Sequence, residues 1–190
     1  MHRSLIFLIL CCFCAASFAQ DKYLLNFGTY TEFYNAVQMD PSGGLRTFDP
    51  APTVGFGLEK KFENGFIFLP EVHWVLPRKS GDSIYKNIFI GRADFSYDMI
   101  DWLRMRLGSS IVWLNQHGTG GKEVINNGNG TSTFYYPSEN RSSFNNTLDL
   151  GAEVLISDWA FRIQTYIFSA LKEERRQISY SLFVTYYWGR

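Results

Sequence analysis

The sequence has little cysteine and no excess of charge of either sign. Its 190 residues include three cysteines, and 18 Lys and Arg balance 18 Asp and Glu. A chain without net charge or a basic run lacks the electrostatic footprint of a nucleic-acid-binding protein. No long apolar run follows residue 16, which excludes a protein that crosses a membrane with several helices. Aromatic residues are abundant, with 17 Phe, 11 Tyr and 5 Trp, and they exclude a disordered chain.

The first residues have the pattern of a secretory signal. Arg3 supplies a basic head, residues 5–16 are an unbroken apolar stretch, and Ser17-Phe18-Ala19 offers small residues for cleavage. We therefore predict a cleaved signal peptide over 1–19 and one domain over 20–190. All three cysteines fall inside this signal, so the mature chain is expected to lack disulfides, a cysteine nucleophile and a cysteine metal site.

Alternation of apolar and polar residues with a period of two runs through most of the mature chain, with no convincing helical stripe. It predicts eight strands, at 23–34, 53–62, 66–76, 84–97, 102–115, 146–156, 159–171 and 177–188. Short turns alternate with long connectors rich in Gly, Pro, Asn and Ser, the longest at 35–52 and 116–145. This order is typical of an all-β, antiparallel, up-and-down sheet.

The charged residues of these strands share one face. Leu103, Met105 and Leu107, for example, alternate with Arg104 and Arg106. Six acidic and six basic residues lie on the polar face by phase: Glu32, Glu59, Lys61, Glu71, Lys86, Arg92, Asp94, Arg104, Arg106, Asp149, Glu153 and Arg162. Because enclosed charges need partners, we interpret this set, together with His73 beside Glu71, as a structural polar network. The alternative role for His73 is a general base or proton relay.

Aromatic residues of the apolar face gather near both ends of the strands. Trp74 and Trp113 lie at the long-loop end, and Trp159, Tyr186 and Trp188 at the short-turn end. Two such belts suit the two interfaces of a membrane. Alternation alone would also allow a secreted soluble barrel that holds an apolar ligand, with the charged face in water.

The chain resembles the small eight-stranded outer-membrane barrels of the OmpA/OmpX type. The C-terminal segment Ser181–Trp188 looks like the aromatic signal through which such proteins engage the barrel-assembly machinery, although Gly189 and Arg190 follow it here. The resemblance implies a transmembrane β-barrel with a polar, side-chain-filled interior in the outer membrane of a Gram-negative bacterium. Both termini would be periplasmic, and lipid and lipopolysaccharide would surround the barrel. Pro70, which lacks an N–H, predicts a bulge or a missing ladder bond.

The interior of an eight-stranded barrel is nearly filled by side chains, so a diffusion pore is disfavoured. The leading interpretation is a non-enzymatic envelope protein, without cofactor or metal, that supports the envelope or makes surface contacts through 116–145. Phe134, Tyr135 and Tyr136 are the contact candidates in that segment, for a protein or glycan ligand.

An enzyme that modifies lipid A is the main alternative. Outer-membrane deacylases carry a His-x-Ser-Asn pattern, whereas this chain has His73-Trp74-Val75. Palmitoyltransferases use His, Asp and Ser of the outer loops, for which His117, Asp82 and Ser83 are loose candidates.

Turn lengths also predict the register. A two-residue turn at Ser157-Asp158 sets Glu153 opposite Arg162 inside the barrel. A three-residue turn at Glu63-Asn64-Gly65, with positive φ at the glycine, sets Glu71 opposite Gly57. A five-residue turn from Asp98 to Trp102 would set Asp94 opposite Arg106, so two interior ion pairs are expected.

Overall fold

A computed structural model of the chain describes residues 21–31, 38–39, 45–46, 50–79, 84–118, 120–126, 130–135 and 139–189. The predicted signal peptide lies outside the described residues, as do Glu32, Asp82, Ser83 and Tyr136.

Eight long strands build the fold. They are β1 (Asp21–Thr31), β2 (Pro50–Lys61), β3 (Phe66–Lys79), β4 (Ile84–Ile100), β5 (Leu103–Gly118), β6 (Asn140–Ile156), β7 (Trp159–Phe168) and β8 (Gln177–Trp188). Each strand pairs antiparallel with its neighbours in the chain, and β1 closes the sheet against β8, with Tyr23 opposite Trp188. The prediction of an eight-stranded, antiparallel, up-and-down barrel is therefore confirmed.

The segment 116–145 is not the single long loop that alternation predicted. β5 continues to Gly118 and β6 begins at Asn140. Between them, Lys122–Asn126 pairs with Thr131–Tyr135 as a separate two-stranded hairpin. A second small hairpin joins Gln38–Met39 to Leu45–Arg46, and Glu173–Arg175 forms a 3₁₀ turn before β8. Within the described ranges, no helix has the length and apolar character needed to cross a membrane.

Two of the three predicted turns have the expected geometry. Ile156 pairs with Trp159 across Ser157-Asp158, which places Glu153 opposite Arg162. Phe62 donates its N–H to the Phe66 carbonyl at 2.8 Å, and Gly65 has φ 86°. Gly57 is then opposite Glu71, as predicted.

The third predicted turn is wrong. Ile100 pairs with Leu103, so the connection is the two residues 101–102, and a register irregularity lies between Asp98 and Ile100. As a result Asp94 is opposite Gly108, two residues from the predicted partner Arg106. A shift of two residues keeps every side chain on its face, because the side-chain period of a strand is two.

Pro70 leaves the predicted gap in the ladder. Pairing between β2 and β3 skips the positions opposite Leu69 and Pro70 and resumes with the same offset, so a ladder contact is missing without a bulge. The register irregularity of β3 lies farther along, between Val75 and Arg78, where Leu76 and Pro77 face the single residue Asn87.

The barrel interior has three layers. Its middle holds the charged residues, and each end holds an apolar cluster. The short-turn cluster consists of Leu24, Ile67, Leu69, Ala160 and Tyr187. The long-loop cluster consists of Tyr30, Ala51, Val75, Ile88, Ile90, Val112, Tyr166 and Phe168. The predicted polar, side-chain-filled interior is thus confirmed, with an apolar cluster toward each end.

Candidate functional site

Nine charged side chains of the middle layer form the central ion network: Glu59, Glu71, Arg92, Asp94, Arg104, Arg106, Asp149, Glu153 and Arg162. Arg106 on β5 lies at its centre. Its Nη1 donates to Glu153 Oε1 at 2.5 Å, its Nε donates to Asp94 Oδ2 at 3.1 Å, and its Nη2 also binds Glu71. Three carboxylates from β3, β4 and β6 thus converge on one guanidinium, the planar five-donor group best suited to such pairing.

Glu71 links this cluster across the barrel. Arg162, from β7, donates Nη1 to Glu71 Oε1 at 2.7 Å. Asn26 Nδ2 donates to Glu71 Oε2 at 3.3 Å, and His73 Nε2 lies 2.6 Å from the same oxygen. The carboxylate of Glu71 therefore has a partner on each side, as an enclosed charge requires.

His73 is fully enclosed in this structure, with 0% of its surface exposed. Its ring packs against Phe183 with the centroids 4.8 Å apart, and Nε2 is engaged by Glu71. A general base must reach the proton that it abstracts from a substrate. A substrate has no access to a ring that is enclosed in the packed interior. These contacts support the structural role for His73.

The predicted pair of Glu153 with Arg162 is present, at 3.5 Å between Oε1 and Nη1. Asp94 also meets Arg106, although the two are not directly opposite, because long side chains reach a diagonal neighbour two residues along. Tyr187 donates its hydroxyl to Glu153 Oε2 at 2.9 Å. The network therefore extends into the short-turn cluster.

Arg92 and Arg104 complete the network toward its two ends. Arg104 donates to Glu59 Oε2 at 2.7 Å and to Asp98 Oδ1 at 2.6 Å. Arg92 binds Asp94 and lies 3.6 Å from Asp149 Oδ2, with its guanidinium 5.6 Å from the Tyr166 ring centroid.

Glycines on β2 make room for the network. Gly55 and Gly57 are opposite His73 and Glu71. A Cβ on Gly57 would lie 2.6 Å from Glu71 Cγ, and a Cβ on Gly55 would lie 2.8 Å from His73 Cε1. Both side chains can therefore cross the interior only because β2 presents bare backbone to them.

The charges predicted for the interior do not all lie there. Lys61 is exposed at the barrel end, 4.0 Å from Asp98, and Lys86 is half-buried at the other end. The prediction for Lys61 is wrong because alternation gives the side of the sheet but not the depth along the barrel, whereas Lys86 keeps the predicted inward phase, two residues before the buried Ile88. Conversely, Asn26 and Tyr166 belong to the interior contacts and were not predicted, although each lies on the inward phase of its strand.

The outer surface carries large apolar side chains between aromatic groups. Val72 and Leu107 are 57% and 55% exposed. Near the short-turn end Trp188 contacts Tyr23 at 5.6 Å and Phe56 at 6.0 Å, and Trp159 contacts Tyr186 at 4.8 Å, between ring centroids. The outer face of the barrel is therefore apolar, whereas the alternative of a soluble barrel requires the charged face to be outside.

The long-loop end has its own aromatic row, formed by Trp74, Phe89, Trp113 and Phe144 on β3 to β6. Neighbouring rings are 6.2, 5.6 and 5.6 Å apart between centroids. Trp74 and Trp113 are 39% and 38% exposed. The row therefore forms an aromatic stripe across four neighbouring strands.

The structure describes only some of the predicted loop candidates. Phe134 and Tyr135 lie on the strand Thr131–Tyr135, opposite Glu123 and Lys122. His117 Nδ1 is bonded to Asn140, while Asp82 and Ser83 lie outside the described residues. Across the described parts of the chain, no three His, Cys, Asp or Glu side chains are grouped to hold a metal ion.

Comparison with solved structures finds small outer-membrane barrels. The chain is similar to Ail, the attachment invasion locus protein of Yersinia pestis, with TM-score 0.51 and 8% identity. The alignment covers 90% of this chain and 99% of Ail. The N-terminal barrel domain of Pseudomonas aeruginosa OprF follows with TM-score 0.49, 8% identity and coverages of 90% and 98%. Neisserial surface protein A has TM-score 0.46, 9% identity and coverages of 90% and 96%. No protein-family model and no curated protein matches. The similarity to Ail confirms the resemblance in fold to the small outer-membrane barrels.

Proposed function

We propose that the protein is an integral outer-membrane barrel without enzymatic activity, which supports the envelope and makes surface contacts at its long-loop end. The observation that carries this proposal is the inverted arrangement of the wall. On β5, Arg104 and Arg106 are buried while Leu107 is exposed. An apolar outer band of this kind in water would be an aggregation hazard, whereas lipid solvates it.

The height of the apolar band fits a bilayer. From Met105, which is paired with Tyr97, to Trp113 there are eight residue steps along β5, about 26 Å of strand. With the usual tilt of about 40°, the band is about 20 Å tall, close to the roughly 25 Å of transmembrane barrels. Two aromatic groups bound it, as expected at two interfaces.

The central ion network has a structural part in this proposal. Asp94, Asp149 and Glu153 are fully buried, and an apolar cluster lies toward each end of the interior. Such packing favours a structural interior over a solute path. The network instead ties six strands, β2 to β7, to one another through charge-assisted contacts.

Surface contact would involve the long-loop end, chiefly 116–145. There β5, β6 and the hairpin Lys122–Asn126/Thr131–Tyr135 project, and Val124 is 56% exposed. The opposite end, with its tight turns, the start of β1 and the end of β8, would face the periplasm. The outward Tyr186 and Trp188 of β8 would form the signal for the barrel-assembly machinery.

Membrane fractionation tests this proposal. The protein should partition with the outer membrane and migrate faster on gels before heating than after it. Protease added to intact cells should cut within 116–145, whereas cleavage at 63–65 would contradict the orientation. Lipid A mass spectra should be the same with and without the gene. A change in acyl chains would instead support the lipid A enzyme, and recovery in the soluble fraction would refute membrane insertion.

A further inference from the structure

The fully enclosed part of the central ion network does not balance its own charge. Seven of its side chains have no exposed surface: Glu71, Arg92, Asp94, Arg106, Asp149, Glu153 and Arg162. Four of these are carboxylates and three are guanidiniums, which leaves one negative charge in excess. The other two members, Glu59 and Arg104, pair with each other at 2.7 Å and do not alter this difference. An unbalanced charge in a packed interior is costly, and a buried carboxyl group avoids the cost by keeping its proton.

Asp149 is the carboxyl group of this set with the weakest contact to a cation. Glu71, Asp94 and Glu153 each accept a hydrogen bond from at least one guanidinium of the set. Asp149 accepts none from them, because Arg92 Nε is 3.6 Å from its Oδ2, beyond hydrogen-bond distance. Among the described residues, no donor is bonded to this oxygen. The excess charge is therefore located at Asp149.

The groups around Asp149 supply no second cation. β4 presents Arg92 and Asp94, which bind each other directly, so their charges cancel. β3 contributes Glu71, a further acid, whose Oε2 is 3.7 Å from Arg92 Nη1. Tyr166, directly opposite Asp149 on β7, is an uncharged phenol. An ionised Asp149 would therefore lack a partner of its own.

The other oxygen of Asp149 lies among hydroxyl groups. Thr147 Oγ1 is 2.5 Å from Asp149 Oδ1 and 2.5 Å from Ser110 Oγ, which is itself 3.3 Å from Oδ1. A hydroxyl can accept a hydrogen bond as well as donate one. A protonated Oδ1 can thus donate to Thr147, which in turn donates to Ser110.

His73 is the other enclosed group that could take up a proton. Its Nε2 is 2.6 Å from Glu71 Oε2, a contact that a neutral ring with its proton on Nε2 already makes. Nδ1 lies against Gly55 and has no hydrogen-bond partner among the described residues. A charged ring would leave the N–H of Nδ1 unsatisfied in the interior, which is costly. The geometry therefore favours Asp149 over His73.

We propose that the barrel interior binds one proton at Asp149 and that this proton balances the enclosed part of the central ion network. Three carboxylates then remain for three guanidiniums. As the pH rises and Asp149 releases its proton, the interior becomes negative and the folded barrel loses stability. The central ion network is thus a pH-sensitive element that favours the folded barrel at mildly acidic pH.

Infrared spectroscopy of the full folded chain in lipid vesicles at pH 5.5 tests the proton directly. An ordinary aspartate, with a pKa of about 3.9, is almost fully ionised at this pH. The difference spectrum between the unmodified protein and Asp149→Asn should contain the C=O band of a protonated carboxyl group. Asp158→Asn, in the exposed turn before β7, is the matched control and should give no such difference. Absence of the band for Asp149→Asn, or an equal band for Asp158→Asn, would overturn the proposal.

Unfolding at different pH values gives a second readout. The folded chain holds a proton that the unfolded chain has released, so the unfolding constant should rise with pH by up to about tenfold per unit until Asp149 is ionised. Asp149→Asn should lack this rise between pH 4.5 and 7. Parallel pH profiles of the unmodified protein and Asp149→Asn would contradict the proposal.

A comparison of two enclosed aspartates at pH 5.5 separates the proton site from the ion pairs. Asp149→Asn should change the unfolding constant by less than about fivefold, since it replaces one neutral group by another. Asp94→Asn removes a carboxylate bound by two guanidiniums and should raise the constant about a hundredfold or more. Equal increases in the two variants would overturn Asp149 as the neutral member.

Folding of each variant is checked by heat-modifiable migration. If Asp149→Asn does not fold, the unmodified protein with carbon-13-labelled aspartate decides. The label lowers the frequency of the carboxyl band only if an aspartate carries the proton. A shifted band supports the proposal, and a spectrum without a shifted component would overturn it.

Discussion

The middle of the barrel interior differs from its two ends. In the middle, Glu71, Arg106 and Glu153 are held by directional contacts, each of which needs a specific partner. At the short-turn end, Ile67 and Leu69 are equally enclosed but need only volume and apolar surroundings. Strand alternation places all five residues inside, so the difference lies in depth. The same interior is therefore stabilised in two ways. The ion pairs of the middle require specific partners, whereas the apolar packing of the end tolerates substitution by other apolar residues of similar volume.

The largest expected effect is from Glu71→Gln, which removes the carboxylate bound by Arg106 and Arg162 with little change of volume. Two buried guanidiniums would lose a partner, and we expect the free energy of unfolding to fall by about 3–5 kcal/mol. Urea unfolding in lipid vesicles, followed by tryptophan fluorescence, measures it. Glu63→Gln, in the exposed turn, is the control. If the two variants lose free energy of unfolding to within about 1 kcal/mol of each other, the central ion network does not contribute specifically to stability.

Leu107→Arg tests the outer face at the same level as the network. We expect a loss of about 2–4 kcal/mol, since the charge would enter the apolar band. Ser143→Arg, on an exposed position of β6, is the matched control and should be near neutral. Equal tolerance at both sites would favour a soluble barrel.

Ile67→Ala sharpens the contrast at the end of the interior. Deleting three carbons from a fully buried side chain should cost about 2–3 kcal/mol, while Ile67→Leu should cost under about 1.5 kcal/mol. The same unfolding assay compares the two. A large loss for the conservative exchange would show that the short-turn cluster is as specific as the ion network.

The smallest effect is expected from Lys61→Met at the barrel rim. Lys61 Nζ lies 4.0 Å from Asp98 Oδ2, with 58% and 32% of the two side chains exposed. Solvent screens such a pair, so its loss should change stability by less than about 1 kcal/mol and less still in high salt. A salt-independent loss as large as that of Glu71→Gln would remove the distinction between buried and rim ion pairs.

Alternation and turn length predicted the eight strands, the face of nearly every side chain and two of the three turns. The Glu153 and Arg162 pair followed from a two-residue turn, because a ladder propagates its register from the turn. The turn after Ile100 was wrong because apolar and polar residues alternate without interruption through Tyr97 and Asp98, so nothing in the pattern marks where the strand stops.

The sequence by itself determined which side of the barrel wall each residue occupies, because the two-residue period of a strand follows from the local geometry of the extended backbone. Depth and partners across the interior were decided only by the tertiary structure. Arg162 reaches Glu71 over 91 residues of chain, a contact that depends on how the closed barrel tilts and staggers its strands. Tilt and stagger are set by closure of β1 against β8, which no local pattern encodes, and they place Arg106 among three carboxylates and Lys61 in water.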